Sequence, residues 1–100
     1  MTTEITYNCD KVDDLSEVDG GTQSISLSCC KLQCIDGVQK AANLSKLSIT
    51  VCKLKELGPL SGAEFPSLTC LILSYNFIES VEPLKSLFFL KQLSVSNNFI

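Results

Sequence analysis

LTCLILSYNFI, residues 68–78, and LKQLSVSNNFI, residues 90–100, are the same sentence written twice, 22 positions apart. Leu68, Leu71, Leu73, Asn76 and Ile78 in the first become Leu90, Leu93, Val95, Asn98 and Ile100 in the second. Apolar residues two and three apart followed by one asparagine describe a short strand with a buried flank and then a polar turn. Such a unit cannot bury its apolar face alone, so it must stack on copies of itself.

The copies are present upstream. Leu44, Leu47, Ile49, Cys52 and Leu54 fit the template, as do Thr22, Ile25, Leu27, Cys30 and Leu32, and more loosely Thr2, Ile5, Tyr7, Asp10 and Val12. The starts at 2, 22, 44, 68 and 90 give periods of 20, 22, 24 and 22, close to the range of the leucine-rich repeat. Between templates the apolar residues fall three apart, as in Ile78, Val81, Leu84, Leu87, Leu90 and in Leu32, Ile35, Val38, Ala41, Leu44. That spacing turns one side of a helical or 3₁₀ segment inward. The expected fold is α/β: a leucine-rich-repeat solenoid over residues 1–100, one domain, with short parallel strands on the concave face, helical or 3₁₀ returns on the convex face, and an incomplete last repeat.

Composition narrows the function. The net charge is −3 and all eight basic residues are lysine, so the arginine-rich footprint of nucleic-acid recognition is missing and none is expected as a partner. The apolar residues are spread periodically, with no run long enough for a membrane helix. Met1, Thr2, Thr3 and Glu4 do not make the basic start of a signal peptide, and a cytoplasmic location is expected. No histidine, phosphate loop or paired-carboxylate motif occurs, so neither enzymatic activity nor a cofactor is expected.

Six cysteines invite a disulfide or metal reading. Cys30 and Cys52 instead share the slot of Asn76 and Asn98, with Asp10 in the first repeat, where a small polar side chain satisfies the backbone of the turn. Reduced structural thiols are expected. Zinc on Cys9, Cys29, Cys30 and Cys34 is disfavoured, because no second pair follows at the usual distance and strand alternation sends Cys29 and Cys30 to opposite sides. The acidic group Asp10, Asp13, Asp14, Glu17 and Asp19 lacks the glycine and closing glutamate of a calcium loop.

A binding surface is then sought on the outward strand positions. Their central column is Thr6, Ser26, Ser48, Ile72, Ser94, and the column just past the strand is Cys9, Cys29, Val51, Tyr75, Asn97. Val51, Cys70, Ile72 and Tyr75 are expected to form an apolar patch edged by Lys46 and Lys91, as protein-binding sites are built. A further column runs Lys11, Lys31, Lys53, Phe77, Phe99. Stacking should bring Phe77 against Phe99, either as a spine inside the turn or as an extension of the patch.

The form N-x-I-x-x-V-x-x-L-x-x-L from Asn76 to Leu87 resembles the 22-residue leucine-rich-repeat subfamily typified by a regulatory subunit of protein phosphatase one. Within it, Ile72 to Glu79 and Ser96 to Asn98 are most similar to the leucine-rich-repeat light chains of axonemal outer-arm dynein. That resemblance implies a non-enzymatic regulatory or light-chain-like subunit that binds a motor heavy chain through its sheet face, in the cytoskeleton or ciliary axoneme. It points to Ile72, Ser74, Tyr75 and Ser94 as contacts. The helical N-terminal lead and the later capped repeats of that family have no counterpart here. A phosphatase catalytic subunit is the alternative partner, and an architectural part in a cytoskeletal assembly is a third reading. Because Leu90, Leu93, Val95 and Ile100 lack a covering repeat, the C-terminal end is expected to dock on a neighbouring chain or to continue in a longer protein.

Overall fold

The structure is a computed structural model that describes residues 4–8, 18–30, 35, 37–61 and 65–100. Thr2, Thr3, Cys9, Asp10, Lys11, Val12, Asp13, Asp14, Glu17, Lys31, Leu32 and Cys34, all named above, lie outside the described residues.

β2 reads Ser-Ile-Ser-Leu-Ser over Ser24–Ser28, with Ile25 and Leu27 fully buried and the serines half-buried between them. This alternation is the period of an extended chain with one wet side. The same pattern sets β1 (Glu4–Asn8), β3 (Lys46–Thr50), β4 (Cys70–Ile72) and β5 (Gln92–Ser94). The five form one parallel sheet in chain order. Register places Ile5, Ile25, Leu47, Leu71 and Leu93 abreast, and Tyr7, Leu27 and Ile49 in a second row. A slip by one residue would send a whole apolar row to solvent, which is why the rows fix the pairing. Each fully buried leucine or isoleucine stabilises by roughly 1.5–3 kcal/mol.

The returns are 3₁₀, and among the described residues no α-helix occurs. They are η1 (Val38–Lys40), η2 (Gly58–Leu60) and η3 (Glu82–Ser86). The three-residue spacing explains the choice, since side chains three apart eclipse in a 3₁₀ turn and would drift off one face in an α-helix. In the first return the N–H groups of Val38, Ala41 and Leu44 donate to the carbonyls of Ile35, Val38 and Ala41 at 3.0–3.1 Å. Each buried residue is thus bonded to the buried residue before it. Pro59 and Pro83 open η2 and η3, where a missing N–H is harmless. η2 packs against η1 on one side and η3 on the other, and the core lies between these turns and the sheet.

Each of the four later strands is followed by a residue with left-handed backbone: Cys29 (φ 59°), Val51 (55°), Tyr75 (60°) and Asn97 (58°). That reversal projects the residue itself outward and turns its successor in. Leu93, in the row of the fully buried Leu71, is 47% exposed; among the described residues β4 is its only sheet neighbour. No helix among the described residues is long and apolar enough to cross a membrane.

Candidate protein interface

The inward residue of each turn anchors everything that follows. Asn76 is buried, and its Oδ1 accepts the N–H of Cys52 at 3.0 Å and of Leu54 at 3.1 Å. Its Nδ2 donates to the carbonyls of Ile49, Leu73 and Ser74 at 2.7–3.2 Å. Lys53, between the two N–H groups, has φ 59°, and this left-handed residue lets both donors converge on one oxygen. Asn98 repeats the donor side of the arrangement, giving its Nδ2 to the carbonyls of Leu73, Val95 and Ser96, while its Oδ1 accepts a single N–H among the described residues, that of Ile78.

Cys52 and Cys30 occupy the equivalent positions and are also buried. The Sγ of Cys52 accepts the Cys30 N–H at 3.4 Å and donates to the Thr50 carbonyl at 3.1 Å. That of Cys30 donates to the carbonyls of Ser28 and Tyr7 at 3.5 and 3.7 Å. Burial, ahead of the neighbouring thiols, pushes the Cys52 pKa up. Cys29, one residue away from Cys30, is exposed, and Cys29, Cys30, Cys52 and Cys70 are all free thiols. Among the described residues, no three His, Cys, Asp or Glu side chains come together as metal donors.

The outward sheet face is less apolar than its sequence suggests. Lys46 and Lys91 are exposed at its edge, and Cys70, Ile72 and Ser94 are half-buried. Ser74, expected as a surface contact, is only 8% exposed. Its Oγ lies 2.8 Å from the Oγ of Ser94 and accepts from that of Ser96 at 3.2 Å. The cause is the neighbouring repeat, whose two hydroxyls close over it.

The larger apolar surface runs along the ridge at the C-terminal ends of the strands. Val51 is 50% exposed, Tyr75 59%, Phe77 36% and Phe99 66%. Phe77 and Phe99 stack with centroids 5.6 Å apart and planes at 25°. They do not form a spine inside the turn. Leu54 and Ile78 take the inward positions, fully buried, and the Phe77 N–H donates to the Leu54 carbonyl and the Phe99 N–H to that of Ile78, both at 2.9 Å. The residue between slot and core is exposed in each case, as Lys53, Phe77 and Phe99.

Two open grooves flank the stacked rings. One, of about 350 Å³, is lined by Val51, Lys53, Tyr75, Phe77, Asn97 and Phe99. The other, of about 410 Å³, is lined by Lys55, Glu56, Phe77, Glu79 and Phe99. The only ion pair among the described residues, Lys85 with Glu82 at 3.5 Å, is elsewhere. A second exposed aromatic pair, Phe88 and Phe89, does not emerge from the repeat columns. A signal for it exists all the same, since a three-residue apolar spacing from Leu87 to Leu90 leaves both intervening residues facing out.

The arrangement sets the exposed Val51, Tyr75, Phe77 and Phe99 among Lys53, Lys55, Glu56 and Glu79. What it presents is apolar area with a charged margin, a surface suited to contact with another protein. The sequence matches no protein-family model, and no curated protein is significantly similar to it.

Proposed function

We propose that this chain is a leucine-rich-repeat solenoid serving as a non-enzymatic protein-binding module, and that its contact surface is the ridge of Val51, Tyr75, Phe77 and Phe99. One observation carries the reading: Val51 and Tyr75 hold left-handed backbone while half or more of each side chain stays in water. A non-glycine residue there costs about 1–3 kcal/mol, and for a β-branched one the conformation is a true outlier. Exposure returns little of that cost within the chain. Asn97 occupies the same position with a residue that tolerates it, so the fold itself does not ask for an apolar side chain. A partner that covers Val51 and Tyr75 supplies what folding alone does not.

The resemblance to dynein light chains makes a motor heavy chain the first partner to test, with a cytoskeletal or axonemal location. The ridge adjoins the half-buried Ile72 and Ser94 of the sheet face, so one partner can span both. A phosphatase catalytic subunit calls for a more acidic face than one carrying Lys46 and Lys91. Co-purification from native cells with the wild-type chain, Tyr75→Ala, Phe99→Ser and the remote control Lys40→Ala tests the reading. A motor heavy chain retained by wild type and Lys40→Ala and lost by the other two is the expected result. Equal capture by all four removes the ridge as the site.

A further inference from the structure

The grooves beside the two phenyl rings differ in charge, and that difference specifies a ligand. Among the described residues, the groove on the Tyr75 side carries one cation, Lys53, and no carboxylate. On the other side Lys55 is accompanied by Glu56 and Glu79. Lys53 is exposed and has no acidic partner among the described residues.

We infer that the Tyr75-side groove takes a peptide segment of a partner protein in which a large apolar side chain lies next to a single carboxylate. This rests on the ridge being the binding site. The apolar side chain enters between Val51 and the rings of Tyr75 and Phe99, and the carboxylate meets the Lys53 ammonium at the groove wall. Apolar contact expels water from the same place, which strengthens the ion pair relative to one in open solvent. On the far side of the rings Glu56 and Glu79 line the second groove, and in physiological salt they repel acids that come within about 8 Å of them, so one carboxylate placed at Lys53 by an apolar neighbour is favoured and an acidic tract that runs on past the rings is not. The mixed charges of the second groove offer no such preference.

Selection of phage-displayed random peptides on the intact chain tests this without a known partner. The selected peptides are then measured as synthetic probes against wild type, Lys53→Glu, Phe99→Ser and Tyr75→Asn. Tyr75→Asn suits the left-handed backbone and serves as a second ridge variant, and a ¹H–¹⁵N spectrum verifies each fold. The expected peptides place Asp or Glu beside Leu, Ile, Phe or Trp. They weaken about tenfold or more on the two ridge variants, and about fivefold to tenfold on Lys53→Glu, the latter effect shrinking in high salt. Peptides that need Phe99 and Tyr75 but show no excess of acids, and bind Lys53→Glu as tightly as wild type, overturn the ligand chemistry and leave the ridge standing. Peptides indifferent to both ridge variants overturn both.

Discussion

The turns at Cys30 and Cys52 and those at Asn76 and Asn98 hold the same place in the repeat and close it by different means. Asn76 meets five backbone groups with one carboxamide. Cys52 meets two with one thiol, and sulfur is a weak donor and a weak acceptor. The difference continues on the surface, where Lys53 stands at the position that Phe77 and Phe99 hold in the next two repeats. One part of the sheet is therefore closed by strong hydrogen bonds and carries the aromatic ridge, and the other is closed by soft, well-packed thiols and carries charge. The repeat tolerates either closure because burial of the leucine rows, common to both, carries most of the stability.

The largest test of that contrast is removal of the carboxamide. Asn76→Ala leaves the N–H groups of Cys52 and Leu54 and three carbonyls without their buried partner, and should cost about 3–4 kcal/mol in urea unfolding. Asn76→Cys, which imports the other closure, should cost about half as much. Equal losses for the two substitutions would mean that a thiol contributes nothing in this slot.

Chemistry at the thiols comes next. Cys30 and Cys52 should resist alkylation in the folded chain while the exposed Cys29 reacts, as peptide-level mass spectrometry would show. Because burial raises the folded-state pKa of Cys52 above its unfolded value, its contribution to stability is complete below the unfolded thiol pKa. It is lost as pH rises through the folded-state value. Stability should therefore fall in alkaline solution, and less so in Cys52→Asn, where the thiol is gone. A flat profile in wild type would place the thiol in water.

Smaller effects separate stability from binding along the ridge. Val51→Asn relieves the left-handed strain and should raise stability by about 1 kcal/mol while weakening partner binding. A loss of stability would show that Val51 packs more than its exposure indicates. Tyr75→Ala and Phe99→Ser should have the smallest effect on unfolding, about 0.5 kcal/mol or less each. Both rings are mostly in water, and Phe99 gives up little beyond its stacking on Phe77.

The strand rows, the inward column from Cys30 to Asn98 and the three-residue returns were legible in the sequence because each follows from a local period: two for a strand, three for a 3₁₀ turn. Stacking then repeats the same requirement at every level of the sheet, so the observed register keeps the intervals of 20, 22, 24 and 22. The outward positions obey no such repetition. Whether Ser74 meets solvent depends on Ser94 and Ser96 across the next strand, and whether Phe77 lies in or out depends on Leu54 and Ile78 having already filled the interior. The left-handed backbone at Val51 and Tyr75 contradicts their own preferences and is imposed by a turn that must aim the next residue inward. Sequence by itself determined what each repeat buries, since burial is set by period. Only the tertiary structure decided what the surface offers, because that depends on how much of each side chain the neighbouring repeats leave uncovered.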